Sequence, residues 1–215
     1  MNFLLPARRK RAFISQLPRS VRLLDVGCGS GSPRLVKSLR PDIYYVGLDV
    51  GDYFQTEESK ALANEYVITS PEDFDSAIIR LGTPQFDAII SWHNLEHCYH
   101  PERVLKAMCG ALRPGGLLCL AFPAEASTKM PSREGTLNFY DDPTHRTVPV
   151  WLDVLRSLQE NEMELVFASQ RYRPWAAFLI GLLFEPVVAI LKKQAPKCGT
   201  WALYGFESVI WARKK

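Results

Sequence analysis

"LLDVGCGSG", residues 23–31, opens as a buried apolar run and closes with glycine at three alternate positions, Gly27, Gly29 and Gly31. At the carboxyl end of the first strand of an open α/β sheet, the backbone must turn sharply into a helix and leave room for a ligand. Glycine meets both needs, because it lacks the side chain that would block a close approach. The helix after such a turn presents unpaired backbone N–H groups, which suit a carboxylate or a phosphate. The stretch therefore predicts a ligand-binding turn between a strand and a helix.

Short apolar runs alternate along the whole chain with segments of helical period, which is typical of a mostly parallel sheet covered by helices. The apolar runs predict strands at residues 22–26, 44–49, 65–69, 86–91, 116–122, 164–172 and 207–213. The helical period predicts helices after Ser32 and near residues 76–81, 101–112 and 150–161. We therefore expect an α/β fold.

The chain has 215 residues, of which 47% are hydrophobic, and this size suits one domain over residues 1–215. Two segments depart from the pattern. Residues 123–148 are too long for an ordinary connection and predict a functional loop. Residues 174–200 form an apolar insertion. The five cysteines are odd in number and show no C-x-x-C spacing, so we expect neither a disulfide framework nor a zinc site, and we expect a cytoplasmic location.

Charge is distributed unevenly along the chain, although the net charge is only +3. Residues 1–22 carry six basic and no acidic residues, and residues 192–215 carry six basic residues and one acidic residue. Such ends suit phosphate on a lipid headgroup, a nucleotide or RNA, and they are equally consistent with solvated ends.

The apolar stretch "WAAFLIGLLFEPVVAIL", residues 175–191, is at the lower limit of membrane-spanning length, and Glu185 and Pro186 interrupt it. We expect a buried or interfacial helix pair. With Lys192 and Lys193 behind it, the segment 175–193 predicts a peripheral membrane contact, a lid over the site or a dimer contact.

A second clue to the ligand is Asp49, which ends the second predicted strand twenty-four residues after Asp25. A carboxylate at that strand tip accepts two hydrogen bonds from the vicinal hydroxyls of a ribose, which implies a nucleoside. A dinucleotide fingerprint requires G-x-G-x-x-G, but the third glycine here falls one residue early. This spacing argues against a nicotinamide oxidoreductase.

Four stretches in this order resemble the class I S-adenosylmethionine-dependent methyltransferases: "LLDVGCGSG", "VGLDV", "FDAIISWHNLEH" and "ALRPGGLLCLAFP". The resemblance covers roughly residues 20–122. It implies a Rossmann-like, seven-stranded sheet of order 3-2-1-4-5-7-6 with the seventh strand antiparallel, helices on both faces, and S-adenosylmethionine as the cofactor.

The resemblance also assigns cofactor roles. Gly27, Cys28 and Gly29 would line the methionine end, with Asp25 beneath the turn. Asp49 would hold the ribose. Val50 would pack against the adenine. Ser91 and Trp92 would lie near the sulfonium.

One position departs from the family pattern. Many relatives have an acid after the third strand that binds the adenine amino group, whereas this chain has Ser70 in "TSPED". Ser70 or the neighbouring Glu72 would take that contact.

Histidine is the usual base for a protonated acceptor near neutral pH. His93 and His97 follow the fourth strand in "SWHNLEH", and the resemblance makes His97 structural and leaves His93 as a catalytic candidate. His145, in "YDDPTHRT" on the 123–148 loop, is the second candidate, and its alternative role is to cap an Asx-type turn. The same loop also holds residue types that ligate divalent metals, namely Asp141, Asp142 and His145. Nothing else in the sequence supports a metal site, and we expect no metal.

The "DPTH" loop resembles loops of methyltransferases that modify sugars and polysaccharides, which implies a hydroxyl acceptor on a small molecule, a glycan or a lipid-linked glycan. The chain has no N/D-P-P-Y tetrapeptide after the fourth strand, which disfavours a nucleobase amino group, and we expect no DNA partner. Two alternatives stay open: an RNA methyltransferase, for which only the "RYRPW" stretch at 171–175 argues, and a non-catalytic binding subunit with the same fold.

Overall fold

The computed structural model describes residues 8–52 and 55–215. Seven strands form one sheet in the order β3-β2-β1-β4-β5-β7-β6, as predicted. The strands are β1 (Arg22–Val26), β2 (Tyr44–Asp49), β3 (Glu65–Ile68), β4 (Phe86–Trp92), β5 (Leu112–Pro123), β6 (Met163–Ser169) and β7 (Glu207–Lys214).

The first five strands run parallel, and β7 lies antiparallel between β5 and β6. Val26 is in register with Leu48 of β2 and with Ser91 of β4. The carboxyl ends of the three central strands therefore finish at the same edge of the sheet, where the strand order reverses. Ligands of open α/β sheets bind at this switch point.

Helices cover both faces of the sheet. They are α1 (Lys10–Gln16), α2 (Ser32–Leu39), α3 (Glu57–Lys60), α4 (Phe74–Arg80), α5 (Pro101–Ala111), α6 (Trp151–Glu160), α7 (Trp175–Ile190) and α8 (Gly199–Tyr204). One apolar core joins the sheet to α4, α5 and α6, and a second joins it to α1 and α2. A small third cluster of Met130, Leu137 and Phe206 lies under the 123–148 loop.

The basic amino-terminal segment is bound to the protein's own carboxylates. Arg9 pairs with the buried Glu207, and Lys10 lies 2.9 Å from the buried Asp25. The prediction of a solvated or phosphate-binding end is wrong for these two residues. Composition does not reveal their partners, which lie 198 residues from Arg9 and 15 residues from Lys10.

The apolar insertion forms the single helix α7, which corrects the predicted helix pair. Pro186 lies inside the helix and leaves the carbonyl of Leu182 without a helical donor. Within the described residues, no helix combines the length and apolar character that crossing a bilayer requires.

Candidate active site

The glycine turn after β1 has a left-handed backbone at each glycine, with φ of +70° at Gly27, +58° at Gly29 and +74° at Gly31. A Cβ atom on Gly27 would lie 2.4 Å from Oδ1 of Asn94, whereas Cβ atoms on Gly29 and Gly31 would face open space. Gly27 is therefore required by both conformation and a close approach. Gly29 keeps bare backbone at the wall of a cavity, and Gly31 keeps bare backbone that faces open space.

Asp25 holds the turn from below. It is fully buried, accepts hydrogen bonds from Tyr45 Oη at 3.1 Å and from Ser32 Oγ, and pairs with Lys10. Because Ser32 is the first residue of α2, these contacts fix the start of that helix against β1. Asp25 positions the cofactor turn but does not line its cavity.

Asp49 lies at the tip of β2 and faces the glycine turn. Its carboxylate accepts the N–H of Gly29 at 2.6 Å and the N–H of Val50 at 2.7 Å. Burial raises the pKa of Asp49, and these two backbone hydrogen bonds oppose the rise. Each carboxylate oxygen has a further acceptor site, which is the arrangement that two ribose hydroxyls need.

A cavity of about 360 Å³ opens above the turn, and we call it the cofactor cavity. Five of the predicted site residues line it: Gly27, Gly29, Asp49, Val50 and His93. Six further residues complete its wall, namely Pro71, Phe74, Asn94, His97, Thr144 and Arg146.

The structure places the remaining predicted cofactor residues away from the wall of this cavity. Cys28 is buried in the core between the sheet and α2, where burial raises the pKa of its thiol to about 12. Ser70 donates to Asp73 instead of facing the cavity, and the neighbouring Pro71 lines it. Ser91 is buried, and Trp92 packs against the α1/α2 core. For Ser91 and Trp92, successive side chains of β4 face opposite sides of the sheet, so a shift of one residue reverses the face.

His93 lies between two buried carboxylates. Its Nδ1 is 2.9 Å from Glu96 Oε1 and its Nε2 is 3.1 Å from Glu207 Oε1. Burial alone would lower the pKa of His93, but the hydrogen bonds and charges of Glu207 and Glu96 outweigh it and raise the pKa to about 9. The imidazole is thus protonated at neutral pH with both nitrogens donating. Because both ring nitrogens face carboxylates, this arrangement does not favour His93 as a catalytic base, and that role stays a prediction.

A second cavity, of about 250 Å³, adjoins the first, and we call it the acceptor cavity. His93 and His97 line both cavities and therefore lie at their junction. The structural role of His97 that its motif implies stays a prediction. The other residues of its wall are Glu96, Gly135, Thr136, Asp142, His145, Trp201 and Phe206.

His145 enters the acceptor cavity from the 123–148 loop. Its Nδ1 donates to the carbonyl of Phe139 at 2.6 Å, and its ring packs on the ring of Phe139 with centroids 4.6 Å apart. Since a carbonyl only accepts, the hydrogen is on Nδ1 in the neutral ring and a lone pair remains on Nε2. His145 can therefore accept a proton.

The two aspartates of the loop have structural roles. Oδ2 of Asp141 accepts three backbone N–H groups, from Arg133 at 3.0 Å, Leu137 at 2.9 Å and Asn138 at 2.8 Å. Asp142 accepts from the hydroxyl of Thr144 at 2.6 Å. Asp141 thus folds the loop that carries His145. The Asx-type turn is made by Asp142, which also accepts the backbone N–H of Thr144 at 2.8 Å.

Comparison with known proteins agrees with this geometry. The family model of the methyltransferase domain matches residues 3–174, and the chain belongs to this family. Its fold is similar to that of an S-adenosylmethionine-dependent methyltransferase from Mesorhizobium loti, with a TM-score of 0.62 and 16% identity over 94% of this chain and 96% of that one. The chain is a class I methyltransferase domain, and its cofactor is S-adenosylmethionine.

Two curated relatives extend the comparison. The chain is 29% identical over 102 residues to 27-O-demethylrifamycin SV methyltransferase of Amycolatopsis mediterranei (strain S699), covering 46% of this chain and 37% of the relative. It is 28% identical over 139 residues to ubiquinone biosynthesis O-methyltransferase of Xanthomonas axonopodis pv. citri (strain 306), covering 56% of this chain and 51% of the relative. The matches thus span about half or less of each relative's length.

The described residues fit S-adenosylmethionine. Bare backbone at Gly29 and Gly31 borders open space where side chains would fill it. Asp49 lines the same cavity with acceptor sites left over, and Phe74 and Pro71 supply apolar surface for a purine. The crevice is open, and its carboxylate is directed into it.

Proposed function

We propose that this protein transfers a methyl group from S-adenosylmethionine to a hydroxyl group of a small-molecule or glycan acceptor bound in the acceptor cavity. The observation that carries the proposal is the junction of the two cavities at His93 and His97. His145 lines the second cavity, and its Nε2 lies 3.9 Å from Oδ2 of Asp142 there. When bound, the cofactor supplies an electrophilic methyl group on a sulfonium whose leaving group is neutral. The protein's own task is alignment and exclusion of water.

Several residues divide this task. Asp49 holds the ribose, and the glycine turn admits the amino-acid end of the cofactor. His93, a cation between Glu96 and Glu207, fixes the wall between the cavities. His145 acts on the acceptor hydroxyl through its Nε2 lone pair. The name of the Xanthomonas relative, an O-methyltransferase, supports an oxygen acceptor.

Cofactor binding is tested with Asp49→Asn. The amide cannot replace an anion that accepts hydrogen bonds on both oxygens, so binding of S-adenosylhomocysteine weakens by about 1.5–3 kcal/mol, roughly tenfold to a hundredfold. Isothermal titration calorimetry measures this. Asp52→Asn is the control, because Asp52 pairs with Lys60 outside the cavity wall. Wild-type protein that binds no cofactor at millimolar concentration would instead support a non-catalytic binding subunit.

The acceptor side is tested with His145→Ala and a panel of hydroxyl acceptors, using cofactor labelled in the methyl group. Loss of the group that acts on the hydroxyl lowers turnover by roughly 10²–10⁴. Binding of S-adenosylhomocysteine stays unchanged. Full turnover by the variant would remove His145 from the reaction, and labelling of RNA but of no hydroxyl compound would favour the RNA alternative.

We further propose that α7 contacts an anionic membrane surface, which favours a lipid-linked acceptor. Its exposed apolar residues recur at helical spacing along one face: Trp175, Leu179, Leu182, Leu183, Val187 and Ile190. Leu183 is 75% and Ile190 82% exposed. The opposite side packs on α8, where Gly181 approaches Gly199. Such an apolar stripe on a surface helix marks an interaction site.

Charge at the end of α7 matches an anionic lipid surface. Lys192, Lys193 and Lys197 follow the helix and are exposed. The one acid within the helix, Glu185, is neutralised by Arg133 at 2.6 Å. Cations beside an apolar stripe gain about 1 kcal/mol each near anionic headgroups.

The same helix is bound to the acceptor-side loop. Arg133 donates to the carbonyl of Val188 at 2.7 Å, and Gln194 donates to the carbonyl of Thr136 at 2.9 Å. Thr136 lines the acceptor cavity, whereas no residue of 174–200, all of which are described, lines either cavity. α7 therefore supports the loop from outside, which favours the membrane contact over the lid.

Vesicle flotation tests this contact with phosphatidylcholine vesicles that contain or lack phosphatidylglycerol. Leu183→Glu removes the burial of one leucine, about 1.5–3 kcal/mol, and weakens binding to anionic vesicles roughly tenfold or more. Leu152→Glu is the matched control, because Leu152 is equally exposed but lies on α6. Wild-type protein that ignores every vesicle, or forms a dimer that Leu183→Glu dissociates, would overturn the proposal.

A further inference from the structure

We propose that Glu96, His97 and His145 form a binding site for a divalent transition-metal ion of the zinc type at the floor of the acceptor cavity. One ligand atom from each residue lies within 4.8 Å of those from the other two. All three residues line the acceptor cavity. This set differs from the Asp141, Asp142 and His145 group considered from sequence, because Glu96 and His97 come from another part of the chain.

The hydrogen bonds of His97 leave its second nitrogen free for a metal. Its Nδ1 lies 3.0 Å from the hydroxyl and 3.4 Å from the carbonyl of Thr144. The hydroxyl hydrogen of Thr144 is directed to Asp142, so both oxygens of Thr144 act as acceptors here. The hydrogen of a neutral His97 is therefore on Nδ1, and Nε2 has the lone pair.

His145 shows the same arrangement. Its Nδ1 donates to the carbonyl of Phe139, and Nε2 again has the lone pair. The rings of His97 and His145 lie 4.8 Å apart between centroids. Metal-binding histidines commonly donate their other N–H to a carbonyl or carboxylate, which fixes the tautomer and the ring direction. The tautomers of His97 and His145 are fixed in this way, so each ring can bind a metal through Nε2.

Glu96 supplies an independent observation. Its side chain is fully buried, and Oε1 accepts from His93, but Oε2 has no hydrogen-bond partner among the described residues. An unpaired buried carboxylate oxygen is unfavourable, and a cation satisfies it directly. His93 then acts as the outer partner that orients this carboxylate.

The backbone holds the ligands together across fifty residues of sequence. Arg146 N–H donates to the carbonyl of Glu96 at 2.8 Å, which fixes the His145 segment beside the turn after β4. Two imidazoles and one carboxylate favour zinc-type ions over Mg²⁺, which prefers oxygen ligands. Ligands at about 2.1 Å from a tetrahedral ion lie roughly 3.4 Å apart, so the site must contract slightly on binding.

The metal site itself does not depend on the proposed function, but its effect on the methyl acceptor does. Three protein ligands leave an open position, which an acceptor hydroxyl can occupy. Coordination there lowers the pKa of the hydroxyl and aligns its oxygen with the cofactor cavity. His145 would then hold the ion, and the hydroxyl proton would pass to solvent water. The O–CH3 bond would form as the bond between the methyl group and sulfur breaks, which leaves a neutral thioether.

Metal binding is measured directly on chelator-treated full-length protein without cofactor or acceptor. Co²⁺ titration followed by visible absorption reports imidazole coordination, and Zn²⁺ competition gives the affinity. His97→Ala and His145→Ala each remove one of three ligands, and we expect Zn²⁺ affinity to fall roughly tenfold to a hundredfold or more. His100→Ala, an exposed histidine three residues beyond His97, retains wild-type affinity. Thermal unfolding confirms that each variant is folded.

The outcomes separate this inference from the proposed function. Wild-type protein that binds S-adenosylhomocysteine but neither Co²⁺ nor Zn²⁺ overturns the metal site and leaves His145 as a proton acceptor. Equal metal binding by wild type and both site variants also overturns it. Metal binding lost in both variants supports the site, even where no hydroxyl compound is methylated and the proposed function fails.

Discussion

At the scale of single residues, Gly27 carries the strictest requirement. Its left-handed backbone and the side chain of Asn94 leave no space for even a methyl group. We predict that Gly27→Ala destabilises the fold by about 1–3 kcal/mol and moves Asn94 into the cofactor cavity, so that cofactor affinity falls. Chemical denaturation and calorimetry measure the two effects.

Gly110→Ala is the matched control for this substitution. Gly110 lies in α5, and a Cβ atom there meets nothing within 4 Å. Alanine has the higher helix propensity, so stability stays equal or rises by up to about 1 kcal/mol. Equal destabilisation by both variants would show that the contact with Asn94 is unimportant.

The histidines of "SWHNLEH" show where residue-level prediction fails. His93 and His97 follow the same strand and look equivalent in the sequence. Their roles differ because Glu207, 114 residues after His93, binds the first ring, and Thr144 binds the second. The partner that decides each role is distant in sequence, so no local pattern reports it.

At the scale of elements, the acceptor-side loop depends on Asp141. Its hydrogen bonds from Ser132 and three backbone N–H groups outweigh the opposing effect of burial and lower the pKa of Asp141. A carboxyl whose pKa is lower in the folded state stabilises the fold above its unfolded pKa of about 3.9, and this contribution is lost as pH falls through the folded pKa.

We therefore predict that Asp141→Asn destabilises the protein by about 1–3 kcal/mol at pH 7, and that the difference from wild type shrinks in acid. Urea denaturation at pH 7 and near pH 3 checks both parts. Asp153→Asn, on the exposed surface of α6, serves as the control. A difference that is constant with pH would contradict the role of the ionised carboxylate.

Strands were easier to predict than helices in this chain. The strands of the central sheet are short apolar runs because helices cover both faces, and the sequence shows these runs directly. α8 and α1 were missed because each is short and gains its stability from packing: α8 on α7 through Gly181 and Gly199, and α1 against Trp211. β5 also begins at Leu112, four residues before the start of the strand predicted at 116–122.

At the scale of the whole molecule, Glu207 joins three distant segments. It pairs with Arg9 before α1, with His93 after β4, and it begins β7 itself. We predict that Glu207→Gln destabilises the protein by about 3–5 kcal/mol, because two partly buried cations lose their shared, buried anion. Denaturation midpoints measure this, and Glu164→Gln on the exposed side of β6 is the control. A loss below about 1 kcal/mol, the range of surface pairs, would contradict the network.

The sequence by itself determined the sheet, its order through the family resemblance, and the glycine turn with Asp49, because these depend on neighbouring residues and on strand tips that parallel topology brings together. Only the tertiary structure decided which histidine is charged and which histidines keep a lone pair on Nε2. It also decided that Glu96, His97 and His145 lie close together. Those properties depend on burial and on partners about fifty to more than a hundred residues away, and folding alone brings such groups within hydrogen-bonding distance.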